Sequence, residues 1–130
     1  MKHCILVVED NQPNRELLRD WLEVEGYEVL STADLKASYD VFAKRIPDAV
    51  LLDINLGNAN GLDLVEWMRQ KSETREIPVI AVTAHALVTE QERILQAGCR
   101  ACLSKPINFQ QLRKHLNLHL TPQRVSLPNP

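Results

Sequence analysis

Five short apolar runs alternate along this chain with longer segments in which apolar residues recur every three or four positions. The runs have the length of strands, and the longer segments have the period of amphipathic helices. The predicted strands span residues 3–8, 27–31, 48–53, 77–82 and 101–104. The first, third and fourth runs are almost continuous in Val, Ile and Leu, which is typical of strands covered by helices on both faces.

Capping signals mark the ends of the helical segments. Asn11 is a good N-cap for the first helix, Pro13 fits its first turn, and Gly26 ends it. The second and third helices are predicted over residues 33–45 and 61–72. The fourth helix is predicted to end at Gly98, and the fifth to begin after an N-cap at Asn108. Strand and helix pairs with short crossovers predict an α/β fold, a doubly wound five-stranded parallel sheet with helices on both faces.

Length and charge limit the remaining possibilities. The 130 residues fit one domain, predicted over residues 1–120, and the proline-rich residues 121–130 are expected to form a flexible C-terminal tail. A net charge of -2 without a long basic run argues against nucleic-acid binding. No apolar stretch is long enough for a signal peptide or a membrane span, so a cytoplasmic location is expected.

Polar and charged residues follow four of the five predicted strands. They are Glu9 and Asp10 after the first strand, Asp53 at the end of the third, Thr83 after the fourth and Lys105 after the fifth. Parallel sheets of this kind bind ligands beyond the carboxyl ends of their strands, so these side chains should meet at one edge. Clustered carboxylates repel unless a cation joins them, and Mg²⁺ suits an all-oxygen set. A lysine and a threonine hydroxyl can bind a phosphoryl group, which indicates phosphoryl transfer with the Asp53 carboxylate as nucleophile.

The motifs that contain these residues resemble those of the response-regulator receiver family. The matching segments are residues 5–11, 50–54 with Gly61, 79–84, 97–98 and 104–106, and the resemblance covers about residues 3–119. It implies a flavodoxin-like fold with strand order 2-1-3-4-5 and a role as a two-component response regulator. Such a protein accepts a phosphoryl group from a sensor histidine kinase or a histidine phosphotransfer protein. It then signals by contact with a downstream protein target, as a monomer or weak homodimer, and is a switch rather than an enzyme, although it promotes its own phosphorylation and dephosphorylation.

The resemblance also implies a role for each matching residue. Asp53 would be the phosphoacceptor, and the Mg²⁺ ligands would be Asp10, Asp53 and the main-chain carbonyl of Asn55, with Glu9 acting through water. Thr83, Lys105 and the backbone amide of Ala84 would contact the phosphoryl group, while Asn55 and His85 would tune its lifetime. The phosphoryl donor would dock around Pro13, Asn14 and Pro106, and the Lys105-Pro106 peptide bond is predicted to be cis.

Two positions depart from the family pattern. Leu56-Gly57 stands where the family usually has Met-Pro, and glycine should loosen that loop. Cys102 stands where an aromatic residue is usual, so the switch is expected to depend on Thr83 rather than on an aromatic rotamer at position 102.

Other functions fit the sequence less well. An aspartate-nucleophile phosphatase needs a second aspartate two residues after the first, where Asn55 stands. A flavodoxin-like cofactor module needs a phosphate-binding loop where this chain has acidic residues. The CxxC pair Cys99 and Cys102 enters a strand rather than opening a helix, which argues against a redox site. His115 and His119 have metal-binding spacing, but surface histidines are the simpler interpretation.

Overall fold

A computed structural model describes residues 2–85 and 87–120 of the chain, so the predicted tail at 121–130 lies outside the described residues. The strands in this part are β1 Cys4–Val8, β2 Glu28–Thr32, β3 Ala49–Asp53, β4 Asn55–Leu56, β5 Ala59–Asn60, β6 Val79–Thr83 and β7 Ala101–Ser104. The helices are α1 Gln12–Val24, α2 Leu35–Lys44, α3 Leu62–Arg69, α4 Val88–Ala97 and α5 Phe109–His119. No helix among these residues is long and apolar enough to cross a membrane.

Five parallel strands form the main sheet in the order β2-β1-β3-β6-β7. Counted among the strands of this sheet alone, the order is 2-1-3-4-5, so the predicted doubly wound α/β topology is confirmed. The three central strands, β1, β3 and β6, are buried along their whole length. This burial explains why their sequences are continuously apolar, because helices cover both faces of the sheet.

Alternate residues of each central strand enter two separate hydrophobic cores. Leu6 and Val8 of β1 pack with residues of α2, α3 and α4, whereas Ile5 and Val7 pack on the other face with residues of α1 and α5. Leu112 of α5 is completely buried in the second core. Truncating such a leucine to alanine typically costs about 2–5 kcal/mol, so the helices are held to the sheet mainly by these contacts.

The helix ends follow the predicted capping residues. The Asn11 side chain accepts a hydrogen bond from the N–H of Asn14 at 3.0 Å, and Asn108 caps α5 in the same way. Gly98 ends α4 with φ +122°, a conformation that favours glycine. The third helix is shorter than predicted and ends at Arg69, because the chain then turns and the Thr74 hydroxyl donates to the Met68 carbonyl at 2.6 Å.

A short antiparallel hairpin, β4 with β5, joins β3 to α3 and was not predicted. Strands of two residues are too short to show a hydrophobic period, so the sequence gives little signal for them. The two-residue loop of the hairpin begins at Gly57, whose φ of +59° is accessible to glycine at low cost. Gly57 therefore lies in a defined turn, whereas the sequence indicated only a looser loop.

Candidate functional site

Three carboxylates meet at the carboxyl edge of the main sheet. Glu9 directly follows β1 and Asp53 ends β3, and these strands are paired neighbours. Carboxylate oxygens of Glu9, Asp10 and Asp53 all lie within 4.8 Å of one another. Glu9 and Asp53 are each only 3% exposed, whereas Asp10 faces solvent. The arrangement places two desolvated carboxylates beneath one that is open to a cation from solution.

Lys105 provides positive charge to this acidic cluster, defined as Glu9, Asp10 and Asp53. Its Nζ donates a hydrogen bond to Oδ2 of Asp53 at 2.9 Å and lies 3.5 Å from Oε1 of Glu9. Burial by itself would lower the pKa of Lys105, but the hydrogen bond and charge of Asp53, together with the charge of Glu9, outweigh burial and raise that pKa. Lys105 is therefore held in its charged form beside the carboxylates.

Glu9 shows the electrostatic cost of the cluster. Burial raises the pKa of Glu9 and the charge of Asp53 raises it further, whereas the N–H of Asn11, bonded to Oε2 at 3.1 Å, and the charge of Lys105 lower it. The net shift is upward, with burial as its largest cause, and the single charge of Lys105 faces three carboxylates. Such a set of carboxylate oxygens fits a hard divalent cation such as Mg²⁺, which would offset the remaining repulsion.

Both oxygens of Asp53 have hydrogen-bond partners. Oδ1 accepts from the backbone N–H of Asn55 at 3.0 Å, and Oδ2 accepts from Lys105. Gly61 lies so close to Asp53 that a Cβ atom there would stand 2.6 Å from the Asp53 carbonyl oxygen. The turn after β3 thus holds the carboxylate through the Asn55 N–H, and a side chain at position 61 would displace the backbone of Asp53.

Thr83 ends β6, the strand beside β3, and is fully buried. Its hydroxyl accepts a hydrogen bond from the N–H of His85 at 3.0 Å, in the loop that leads to α4. Ala84 and His85 are exposed at the surface next to it. The structure therefore places all three predicted residues at the carboxyl edge, with the Thr83 hydroxyl bonded to its own loop.

An apolar groove of about 440 Å³ adjoins the acidic cluster. It is lined by Glu9, Asn14, Leu17, Leu18, Lys105, Pro106, Ile107 and Phe109. Two of the predicted docking residues, Asn14 and Pro106, are in its wall, and Pro13 precedes Asn14 in the first turn of α1. The Lys105-Pro106 peptide bond is cis, which confirms that prediction.

Sequence reasoning missed Arg15, whose Nη1 donates to the backbone carbonyl of Glu9 at 2.8 Å. No sequence motif indicates this contact, because it depends on how a long side chain folds back over the turn before α1. The groove did leave a signal in the sequence. Leu17 and Leu18 are adjacent in α1 and cannot both face the core, and Leu17 is 55% exposed in the groove wall.

The cysteines and the histidine pair are not part of the acidic cluster. All three cysteines are free thiols, and burial raises the pKa of Cys99 to about 12 and also raises the pKa of Cys102. A raised pKa is the opposite of what a reactive thiolate requires. The rings of His115 and His119 stack in parallel with centroids 5.9 Å apart. Among the described residues, the acidic cluster is the one group of three or more possible metal ligands.

Comparison with known proteins agrees with this geometry. The model of the response regulator receiver domain matches residues 5–117. The polar-differentiation response regulator DivK of Brucella anthropi is 39% identical over 120 residues, which are 92% of this chain and 98% of the relative. None of these matches supports the phosphatase alternative.

Solved structures give the same result. The receiver domain of a sensor histidine kinase from Pseudomonas aeruginosa PAO1, with a magnesium ion coordinated in its active site cleft, is 32% identical, with a TM-score of 0.82 over 92% of this chain and 98% of that one. The chemotaxis response regulator CheY4 of Vibrio cholerae is 25% identical, with a TM-score of 0.85 over 92% of this chain and 100% of that one. The chain therefore belongs to the response regulator receiver domain family and functions in two-component signal transduction.

Proposed function

We propose that Asp53 is the residue that receives the phosphoryl group. The observation that carries this proposal is the position of its carboxylate, buried at the end of β3, 2.9 Å from Lys105 and within 4.8 Å of the other two acids. An ionised carboxylate is a nucleophile, and a neighbouring cation offsets the charge that accumulates when an anionic donor approaches. Among the cationic side chains of residues 2–85 and 87–120, none lies as close to Glu9 or Asp10 as Lys105 lies to Asp53.

The acidic cluster would hold Mg²⁺ through Asp10, Asp53 and the backbone carbonyl of Asn55, with Glu9 acting through water. The chemistry that Mg²⁺ supplies is positive charge against the phosphoryl oxygens. This ligand set is supported by the mutual distance of the carboxylates and by the exposure of Asp10, which leaves the cluster accessible from solution. The magnesium ion in the related receiver domain of Pseudomonas aeruginosa supports it by analogy.

Three further residues would contact the phosphoryl group after transfer. Lys105 already bonds Asp53 and can keep its ammonium on a phosphoryl oxygen. The backbone N–H of Ala84 would donate to the same group. Thr83 would exchange its bond with His85 for one to a phosphoryl oxygen, which would draw the loop before α4 toward Asp53. Asn55 and His85 flank this position and would tune how quickly water removes the phosphoryl group.

A phosphohistidine on a sensor kinase or phosphotransfer protein would be the donor, and the apolar groove would be its docking surface. The groove begins at Glu9 and Lys105, so a protein seated in it has direct access to Asp53. Its walls are mainly leucine, isoleucine, proline and phenylalanine, which fit an apolar side chain of a partner. The phosphorylated chain would act in the cytoplasm by contact with a downstream protein, as a switch and not as an enzyme with a separate substrate.

Labelling with acetyl phosphate tests the acceptor. Intact-mass spectrometry at neutral pH should detect one phosphoryl group on the wild-type chain when Mg²⁺ is present and none when it is chelated. Asp53→Asn should abolish the label, whereas Asp40→Asn, on the exposed surface of α2, should retain it. A label that persists in Asp53→Asn would place the acceptor at another residue.

A further inference from the structure

The hairpin after β3 has a register that determines where the backbone of Asn55 points. Asn55 is opposite Asn60, and Leu56 is opposite Ala59. The next pair along the ladder is Ile54 with Gly61, and it is hydrogen-bonded, because the N–H of Gly61 donates to the carbonyl of Ile54 at 2.8 Å. Hydrogen-bonded and non-hydrogen-bonded pairs alternate in an antiparallel ladder, which makes Asn55 and Asn60 a non-hydrogen-bonded pair.

The backbone groups of a residue in a non-hydrogen-bonded pair face away from the partner strand. The N–H of Asn55 faces away from β5 in this way and donates to Oδ1 of Asp53 at 3.0 Å. In an extended strand the carbonyl of a residue lies on the same side as its N–H. The hairpin register therefore leaves the Asn55 carbonyl without a partner on strand β5 and turns it toward the acidic cluster.

Gly57 makes this register possible. The loop between β4 and β5 has only two residues, Gly57 and Asn58, and of these only Gly57 has a positive φ, at +59°. This pattern is that of a tight hairpin turn with glycine at its first central position. A proline, which is usual at this position in the family, is locked near a φ of -65° and could not form the same turn.

Space is not what requires glycine here. A Cβ atom at position 57 would lie 3.9 Å from Oδ2 of Asp10, an ordinary contact distance. An alanine would fit, but it would disfavour the positive φ and so the turn. The hairpin would then be populated for only part of the time, and its register, together with the direction of the Asn55 carbonyl, would be lost in the remainder.

We propose that Gly57 is a positioning residue for the divalent cation site: its turn holds β4 and β5 in the register that presents the Asn55 carbonyl to the acidic cluster. This inference rests on the proposed cation site. Gly57 touches neither the acceptor nor the donor and acts through Asn55. A chain whose hairpin is formed a tenth of the time binds the cation about tenfold more weakly, because only the competent fraction binds.

Gly26 supplies a matched control. It ends α1 with φ +99°, and a Cβ atom built on it meets nothing within 4 Å. Gly26→Ala therefore also places an alanine at a positive φ, but far along the chain from the acidic cluster and without a steric clash. Both variants should lower the Tm by a few degrees, on the order of 4 °C.

The measurement is Mg²⁺ affinity, by isothermal titration calorimetry and by amide NMR shifts of residues 9, 10 and 53–55, well below the Tm. We expect Gly57→Ala to bind Mg²⁺ about tenfold more weakly than wild type and Gly26→Ala to bind it like wild type.

Each contrary outcome has its own meaning. Equal Mg²⁺ affinity in wild type and Gly57→Ala, with the hairpin amides shifted in the variant, would overturn the positioning role. Absence of Mg²⁺ binding in the wild-type chain itself would instead refute the proposed cation site.

Discussion

The ammonium nitrogen of Lys105 lies 2.9 Å from Oδ2 of Asp53, although the two residues are 52 positions apart in the chain. Asp53 ends β3 and Lys105 follows β7, and β6 lies between these strands in the sheet. The flexible lysine side chain crosses the end of β6 to reach the carboxylate. This bond gives the proposed acceptor a positive partner that no residue of its own strand could provide.

Replacing Lys105 by methionine should slow phosphorylation. Lys105→Met keeps most of the side-chain bulk and removes the charge that would stabilise the transferring phosphoryl group. We expect the rate of labelling by acetyl phosphate to fall about 100-fold, as for loss of one preorganised donor elsewhere. Lys114→Met, on the exposed side of α5, should label at the wild-type rate. Equal rates for the two variants would contradict a role for Lys105.

Mg²⁺ should stabilise the folded chain through Asp10. At ten times its dissociation constant, a ligand that binds only the native state adds on the order of 1.4 kcal/mol to the free energy of unfolding. Asp10→Asn should remove most of this gain. Without Mg²⁺ it should not lower the free energy of unfolding, because the substitution removes one of three like charges from the acidic cluster. Urea unfolding with Mg²⁺ or with a chelator measures both effects, and Asp40→Asn serves as the surface control. A full Mg²⁺ gain in Asp10→Asn would remove Asp10 from the ligand set.

The switch should depend on Thr83. The Thr83 hydroxyl bonds the loop before α4, whereas Cys102 is only partly buried, against the core formed with α2, α3 and α4. Backbone NMR with beryllofluoride, a phosphoryl mimic, should show large shifts around residues 83–90 in wild type. These shifts should shrink in Thr83→Ala and survive in Cys102→Ala. The reverse pattern would show that position 102 carries the conformational change.

The apolar groove should matter for protein donors alone. Leu17 is 55% exposed in its wall, and Val24 of the same helix is 84% exposed but does not line it. Leu17→Ser should slow transfer from a phosphohistidine protein about tenfold, as expected for a lost interface contact worth about 1.4 kcal/mol. Labelling by acetyl phosphate should not change, because that donor needs no docking surface. Val24→Ser should transfer normally, and an equal loss in both variants would argue against the groove.

The pair of Arg113 and Glu25 should make stability depend on pH. Hydrogen bonds from Arg113 at 2.8 and 2.9 Å lower the pKa of Glu25 from its ordinary value of 4.5. A lowered folded-state pKa adds stability above pH 4.5 that is lost as the pH falls through the folded value. Arg113→Gln should therefore be less stable than wild type at pH 7, by a margin that narrows in acid.

Urea unfolding across this pH range measures the margin, with Lys114→Gln as the control. Arg113 also lies 5.5 Å over the ring of Trp21, and that contact does not titrate with Glu25. If part of the stability difference between Arg113→Gln and wild type remains after Glu25 is protonated, that part reports the lost contact with the Trp21 ring. A deficit that does not change with pH at all would show that the ion pair adds no stability.

Much of the fold follows from local sequence. The runs that became β1, β3 and β6 are continuously apolar because both of their faces are covered, and this property is visible in a few consecutive residues. Caps such as Asn11 and Asn108 act within three residues, so their signals are equally local. The prediction from sequence is wrong at the end of α3, where the hydroxyl of Thr74, six residues after Met68, bonds the Met68 carbonyl and stabilises a turn in place of a further helical turn.

The candidate site divides in the same way. The sequence alone determined which residues stand at the carboxyl edge, because in a parallel sheet each strand delivers the residues after it to that edge. Only the tertiary structure decided that Lys105 reaches past β6 to Asp53, that Thr83 bonds its own loop, and that Gly57 turns Asn55 toward the acids. The first two contacts depend on side-chain rotamers, which are selected by packing between distant segments. The strands that flank the Gly57 turn are too short to show a period in the sequence.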